Sequence, residues 1–172
     1  MPYSIGSEGY GTDGNFLSTV SQLGVLDTPK TVTFGAGGTT TSGAVSVTAS
    51  GHVTIVDAGY YSFKQRFRVS RTGASGVSQV FFWAESSADN GATWDVTGNS
   101  VVVSLNASID TTVFFDLANL NLPAGAQLRN RFARSSTGDN SGDLTATTPS
   151  ATLTGLGVLM APSAQITIYK LG

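Results

Sequence analysis

From residue 45 onward, apolar and polar positions alternate with a period of two, the pattern of strands that bury one face. The runs VSVTAS (45–50), GHVTIVDAG (51–59) and YYSFKQRFRVSR (60–71) follow one another with turn residues between them. In the third run Tyr61, Phe63, Phe67 and Val69 share one face, and Tyr60, Lys64, Arg66 and Arg68 share the other. After the break RTGASG come VSQVFFWAES, WDVTGNSVVVSL, TTVFFDLANLNL, the turn PAGA, QLRNRFARSS, the polar loop TGDNSGD, ATLTGLGVLM and a closing AQITIYKL. This predicts about eight to ten strands with short connections and no clear helix, hence an all-β fold, an antiparallel jelly-roll sandwich. No fixed period repeats along the chain, which disfavours a propeller or solenoid.

The first 30 residues read differently and are expected to form an N-terminal arm, with the jelly-roll domain at 31–172. Glycines at 6, 9, 11 and 14 leave little room for regular structure. Phe16, Val20 and Leu23 fall at helical spacing, which allows a short turn of helix there, one too short to be stable in isolation. The arm either packs onto its own domain or docks through these three side chains on a partner. FGAGGTTTSG (34–43) reads as a flexible loop.

Two strands are apolar on both faces. VFFWAES sets Val80, Phe82 and Ala84 against Phe81 and Trp83, and TVFFDL sets Val113, Phe115 and Leu117 against Phe114. A sandwich strand ordinarily wets one face, so the second apolar face is expected to meet another copy of the chain or to lie under loops or the arm. Tyr60, Phe81, Trp83 and Phe114 are therefore the candidate subunit-interface residues. Lys64, Arg66 and Arg68 alternate on one strand, and Arg129 and Arg131 on another. If these strands adjoin, they make one cationic patch near Glu85 and Asp116. Such a patch serves either as cross-strand ion pairing on a wet face or as contact with an acidic partner.

Composition narrows the function classes. Of 172 residues only 12% are charged while 40% are hydrophobic, which fits a β-rich protein with a core and a neutral surface. A formal net charge of −2 argues against a nucleic-acid binder that relies on phosphate neutralisation. With no cysteine there is no disulfide framework and no thiolate site. The N-terminus does not read as a signal peptide, and no apolar run reaches the roughly 20 residues needed to span a bilayer, so a soluble protein made without export is expected, with no membrane partner.

The most motif-like string, SADNGATW (87–94), fits the Asp-box pattern found in sialidases and in unrelated β-proteins. Its physical content is local: Asp89, Asn90 and Gly91 suit a hairpin turn, and Trp94 folds back on the flanking strands. A single copy in a chain too short for a propeller marks a turn. His52 is the only histidine, and no Gly-x-Ser-x-Gly elbow accompanies it. The carboxylates a glycosidase would need come from Glu85, Asp89, Asp95, Asp116 and a few others, most of them in turns. GTDGN, ADNGATWD and TGDNSGD offer calcium-type oxygens without the spacing of a calcium loop, and turn chemistry explains all three. No catalytic site, metal or cofactor is expected.

HVTIVDAGYYSFKQRFRVSR resembles the strand, Gly-Tyr-x-Phe, strand passage of tumour-necrosis-factor-like and complement-type jelly rolls, with Gly59, Tyr60 or Tyr61, and Phe63 carrying the likeness. VFFWAESSADNGATW is similar to the following strands in phage virion versions of this module. FFDLANLNLPAGAQLRNRF resembles their next signature, although Ala126 stands where an acidic residue is usual. PSAQITIYKL looks like the last strand, so the likeness runs from residue 45 to 171. It implies a homotrimer of jelly rolls. For a free-standing chain it also implies a non-enzymatic virion structural protein, made in the host cytoplasm, that decorates or cements the outer capsid surface with the major capsid protein as partner. The alternative it implies is the head of a tail or head fibre that binds a glycan or host receptor.

Overall fold

The period-two pattern is realised as two antiparallel sheets packed face to face. The structure, a computed structural model, describes residues 13–71, 77–106, 110–135 and 142–171. Its strands are β1 (Gly14–Ser18), β2 (Lys30–Thr31), β3 (Gly38–Thr39), β4 (Val45–Val47), β5 (His52–Ile55), β6 (Gly59–Ser70), β7 (Ser78–Ser87), β8 (Asp95–Leu105), β9 (Asp110–Phe114), β10 (Leu117–Leu122), β11 (Gln127–Arg134) and β12 (Asp143–Leu144). The short helix α1 (Ala151–Gly155) and the final strand β13 (Ala164–Leu171) complete the order. The first sheet runs β1-β13-β6-β10, with β9 and β12 also paired to β6. The second runs β3-β4-β5-β11-β7-β8, with β2 paired to β11. This is the expected antiparallel jelly-roll sandwich, with more strands than expected because several are only two or three residues long.

The core is the space between the sheets. Tyr61, Phe63, Phe67 and Val69 of β6 point inward, and Val80, Phe82 and Ala84 of β7 meet them from the other side. Phe67 stacks on Phe82 across the sandwich, with ring centroids 5.1 Å apart and planes 9° from parallel. Phe115 abuts Phe67 at 6.5 Å, and Phe132 abuts Phe82 at 6.3 Å, so four rings link both layers. Such pairs add specific geometry to the large area that aromatic side chains remove from water.

Several expectations are corrected. Phe16 lies in a strand, not a helix: β1 pairs antiparallel with β13, Phe16 opposite Ile166. The sheet edge offered by β13 gives this segment more backbone partners than an isolated turn of helix would. The chain then stays on the domain, where the Gln22 side chain accepts from Thr33 N (2.8 Å) and donates to Thr33 O (3.0 Å). The glycines at 6, 9 and 11 lie outside the described residues, as does most of TGDNSGD. TTVFFDLANLNL is divided into β9 and β10, with a register shift at Asn119, whose φ is +55°. ATLTGLGVLM is not a strand. Ser150 caps α1 by accepting from Leu153 N, and the glycines at 155 and 157 end the turn.

Phe67→Ala should lower the unfolding free energy by about 3–5 kcal/mol, because it empties the centre of the four-ring stack. Urea unfolding followed by tryptophan fluorescence measures the loss.

Candidate functional site

The alternation that buries Phe67 and Phe82 forces their neighbours to the outside, which gives the molecule two outer faces of different chemistry. On the first sheet the outward row is Tyr60, Lys64, Arg66 and the half-buried Arg68 of β6, flanked by Phe114 of β9. Phe114 is 72% exposed and Tyr60 50% exposed. The charges around them already have partners. Arg68 pairs with Asp110 and donates to Thr147, Arg66 donates to the Gln165 side chain, and Lys64 lies over the Tyr169 ring at 5.3 Å. Asp116 accepts from the Gln65 backbone N–H at 3.2 Å.

The second sheet carries the other candidates on its outer face. β6 and β11 belong to different sheets, so the two basic rows do not form one patch. Arg129 sits opposite Glu85 and donates to it through Nε at 2.6 Å, and the Arg131 Nε lies 3.8 Å from the same carboxylate oxygen. Trp83 donates through Nε1 to the other Glu85 oxygen at 2.9 Å. Arg131 also donates to Thr31 Oγ1 and to Pro29 O, at 2.9 and 3.0 Å. Burial acts to raise the Glu85 carboxyl, but the bonds from Trp83 and Arg129 and the charges of Arg129 and Arg131 outweigh it and hold the group below its ordinary value. Phe81, two residues before Trp83, shares this face. The four candidate interface residues thus divide, Tyr60 and Phe114 on one side of the sandwich, Phe81 and Trp83 on the other.

The turn 87–94 is built as its residues require. Asn90 and Gly91 have φ of +59° and +88°. Asp89 accepts from Thr93 N (2.9 Å), Thr93 Oγ1 (2.6 Å) and Ser87 Oγ (2.7 Å). These bonds hold its carboxyl well below the usual carboxylate range. Trp94 donates to Gly91 O at 3.0 Å and lies beneath the Arg129 guanidinium, 3.9 Å from its ring centroid. His52 packs against Trp94 at 5.2 Å, and burial together with the charges of Arg129 and Arg131 lowers its pKa. Asp13 accepts from Ser42 N and Oγ, and Asp143 accepts from Gly24 N, so each works as a local brace. Among the described residues no three His, Cys, Asp or Glu side chains gather as a metal site.

Two features escaped the sequence reading. One is the segment between β12 and β13, closed at its base by paired hydrogen bonds between Thr147 and Ala161. No charged residue occurs from 144 to 169, and Leu156 and Leu159 stand 76% and 86% exposed. The absence of charge is visible in the sequence, but the Thr/Leu alternation there reads as a strand. The other is a groove of about 620 Å³ beside Phe81 and Trp83. Val20 and Leu23 of the arm are largely exposed, whereas Phe16 packs against the core.

No family profile matches the sequence. No curated protein matches it either. Among solved structures, that of the Eiger tumour necrosis factor from S. frugiperda superposes with a TM-score of 0.50 at 16% identity, covering 88% of this chain and 90% of that one. At that identity the likeness is one of fold: the chain has a tumour-necrosis-factor-like jelly roll.

Because the folded His52 takes up its proton at lower pH than the unfolded one, acidification below its ordinary value of 6.5 favours unfolding. The melting temperature should therefore fall as pH drops through that value and below, and His52→Gln should remove this part of the slope. Thermal unfolding from neutral to mildly acidic pH checks it; equal slopes in both proteins would refute the assignment.

Proposed function

We propose that the chain is a non-enzymatic virion structural protein that assembles as a homotrimer through the outer face of the first sheet and decorates the outer surface of a phage head. The observation that carries this reading is Phe114, exposed at 72% among charged side chains that already have partners within their own face. Arg68 brings its own carboxylate, Asp110, while Arg66 is bonded to a neutral amide and Lys64 lies over a ring, so the gain on burial comes from Tyr60 and Phe114 and the other two cations stay at the rim. A tumour-necrosis-factor-like fold supports the reading, since the resemblance that suggested it implies a trimer. The uncharged segment 144–169, with Leu156 and Leu159 projecting, supplies an apolar contact for the major capsid protein. Three such contacts on one trimer act together through effective concentration. The protein would be made in the host cytoplasm and act without a cofactor, nucleic acid or membrane.

The alternative, a receptor- or glycan-binding head of a tail or head fibre, shares the trimer and differs in position on the particle. Gold-labelled antibody on intact virions separates the two, since decoration labels the head and an adhesin labels a fibre end.

Light scattering of the purified protein should give the mass of three chains. Phe114→Asp should reduce it to one chain, while Trp83→Ala, on the opposite side of the sandwich, should leave it at three. A wild-type monomer would overturn the trimer. Particles stripped of the protein should also lose infectivity at a lower temperature than intact ones; equal heat tolerance would remove the cement role.

A further inference from the structure

The groove on the second sheet is a built feature. β7 and β8 are in register at Phe82–Val101 and at Ala84–Thr97, so residues 98–100 of β8 lie opposite Trp83 alone. This bulge, with Gly98 at φ +77°, bows the edge strand and forms one wall with Val96, Gly98 and Ser100. The opposite wall comes from Ala133, Arg134 and Ser135 and from the segment at Asp27 and Pro29. Asp27 is itself held at φ +46°, with its N–H donating to Arg134 O at 2.9 Å. Each wall thus turns at a residue of positive φ, adopted freely by Gly98 and at a cost by Asp27.

The groove is lined by Phe81 and Trp83. The bond from Trp83 Nε1 to Glu85 fixes the indole before any ligand arrives, so binding does not have to order it. Around these two rings stand one carboxylate, one guanidinium and two hydroxyls, from Asp27, Arg134, Ser100 and Ser135. The charges cancel, which disfavours a strongly acidic or basic ligand. At about 620 Å³ the groove lies within the range of small-ligand sites.

We propose that this groove binds a neutral oligosaccharide, the apolar face of one sugar ring resting on Trp83 and Phe81 and its hydroxyls meeting the polar rim. A saccharide fits the lining because it presents a flat C–H face and a girdle of neutral donors and acceptors. The proposal deepens the glycan-binding alternative above and rests on it, but does not require the trimer, since every lining residue comes from one chain.

The test is an array of immobilised neutral hexose and N-acetylhexosamine oligosaccharides probed with the full chain, followed by titration of the best binder with tryptophan fluorescence. Wild-type protein should bind at least one glycan. Trp83→Ala should weaken it by roughly tenfold or more, the loss expected when an aromatic anchor is truncated. Val96→Lys, at an exposed wall position, should do the same by laying a long side chain across the groove, with the unfolding transition unchanged. No binding on the array, or binding that both variants leave intact, would overturn the proposal. Capture of a proline-rich peptide array in place of glycans, lost in the same variants, would overturn the saccharide and make the groove a peptide site. Scattering mass is measured alongside, so that failure of the glycan site and failure of the trimer are read separately.

Discussion

The stack of Phe67 on Phe82 is the contact on which the rest of the molecule depends. It lies where β6 of the first sheet crosses β7 of the second, and Phe115 and Phe132 extend it to β9–β10 and β11. Because side chains on a strand alternate, placing these two rings inward decides every other position on both strands. Arg66 and Arg68 go out on one side, Phe81 and Trp83 on the other. A slip of one residue on β7 alone would drive Trp83 and Glu85 into the core and leave Phe82 in water. The register is held by the penalty for burying that carboxylate as much as by the aromatic contact.

With the phase set, the low charge content becomes informative. Only 12% of residues are charged, and the two outer faces use theirs in different ways. On the second sheet Glu85 gathers Trp83, Arg129 and Arg131, and Arg129 covers Trp94, so that rings and charges brace one another. On the first sheet the ion pair and hydrogen bonds run beside Phe114 and leave its ring uncovered. One face is therefore braced and shaped by a bulge, while the other has an uncovered ring among cations of which Arg68 is ion-paired and Arg66 is bonded to a neutral amide.

Much of this was legible in the sequence. The alternation in YYSFKQRFRVSR placed Tyr61, Phe63, Phe67 and Val69 inward, the double-sided strands flagged Phe81, Trp83 and Phe114, and Asp-Asn-Gly marked the hairpin. Strand partnership was not legible. Periodicity tells which residues share a face of one strand and says nothing about which strand lies beside it, so Arg66 and Arg129 looked like neighbours although their strands lie in different sheets. The bulge at residues 98–100 was hidden for the same reason: it exists only as a mismatch between β7 and β8. Phe16 was misread because three apolar residues at helical spacing carry no record of the sheet edge that recruits the segment. Leu156 and Leu159 were misread because alternation alone does not supply a strand with a partner.

The β8 edge, outermost in the second sheet among the described residues, connects these points. β8 is eleven residues long and rich in valine, which would make it an aggregation hazard if it were flat. The bulge breaks its pairing line and turns part of that edge away from a second strand. The same distortion opens the groove at Trp83. A feature that keeps the edge from pairing thus also forms the concave site, and it does so on the side of the sandwich that the proposed trimer leaves uncovered. Restoring regular pairing at residues 98–100 would close the groove and expose the edge together, so the two properties are expected to be retained or lost as one.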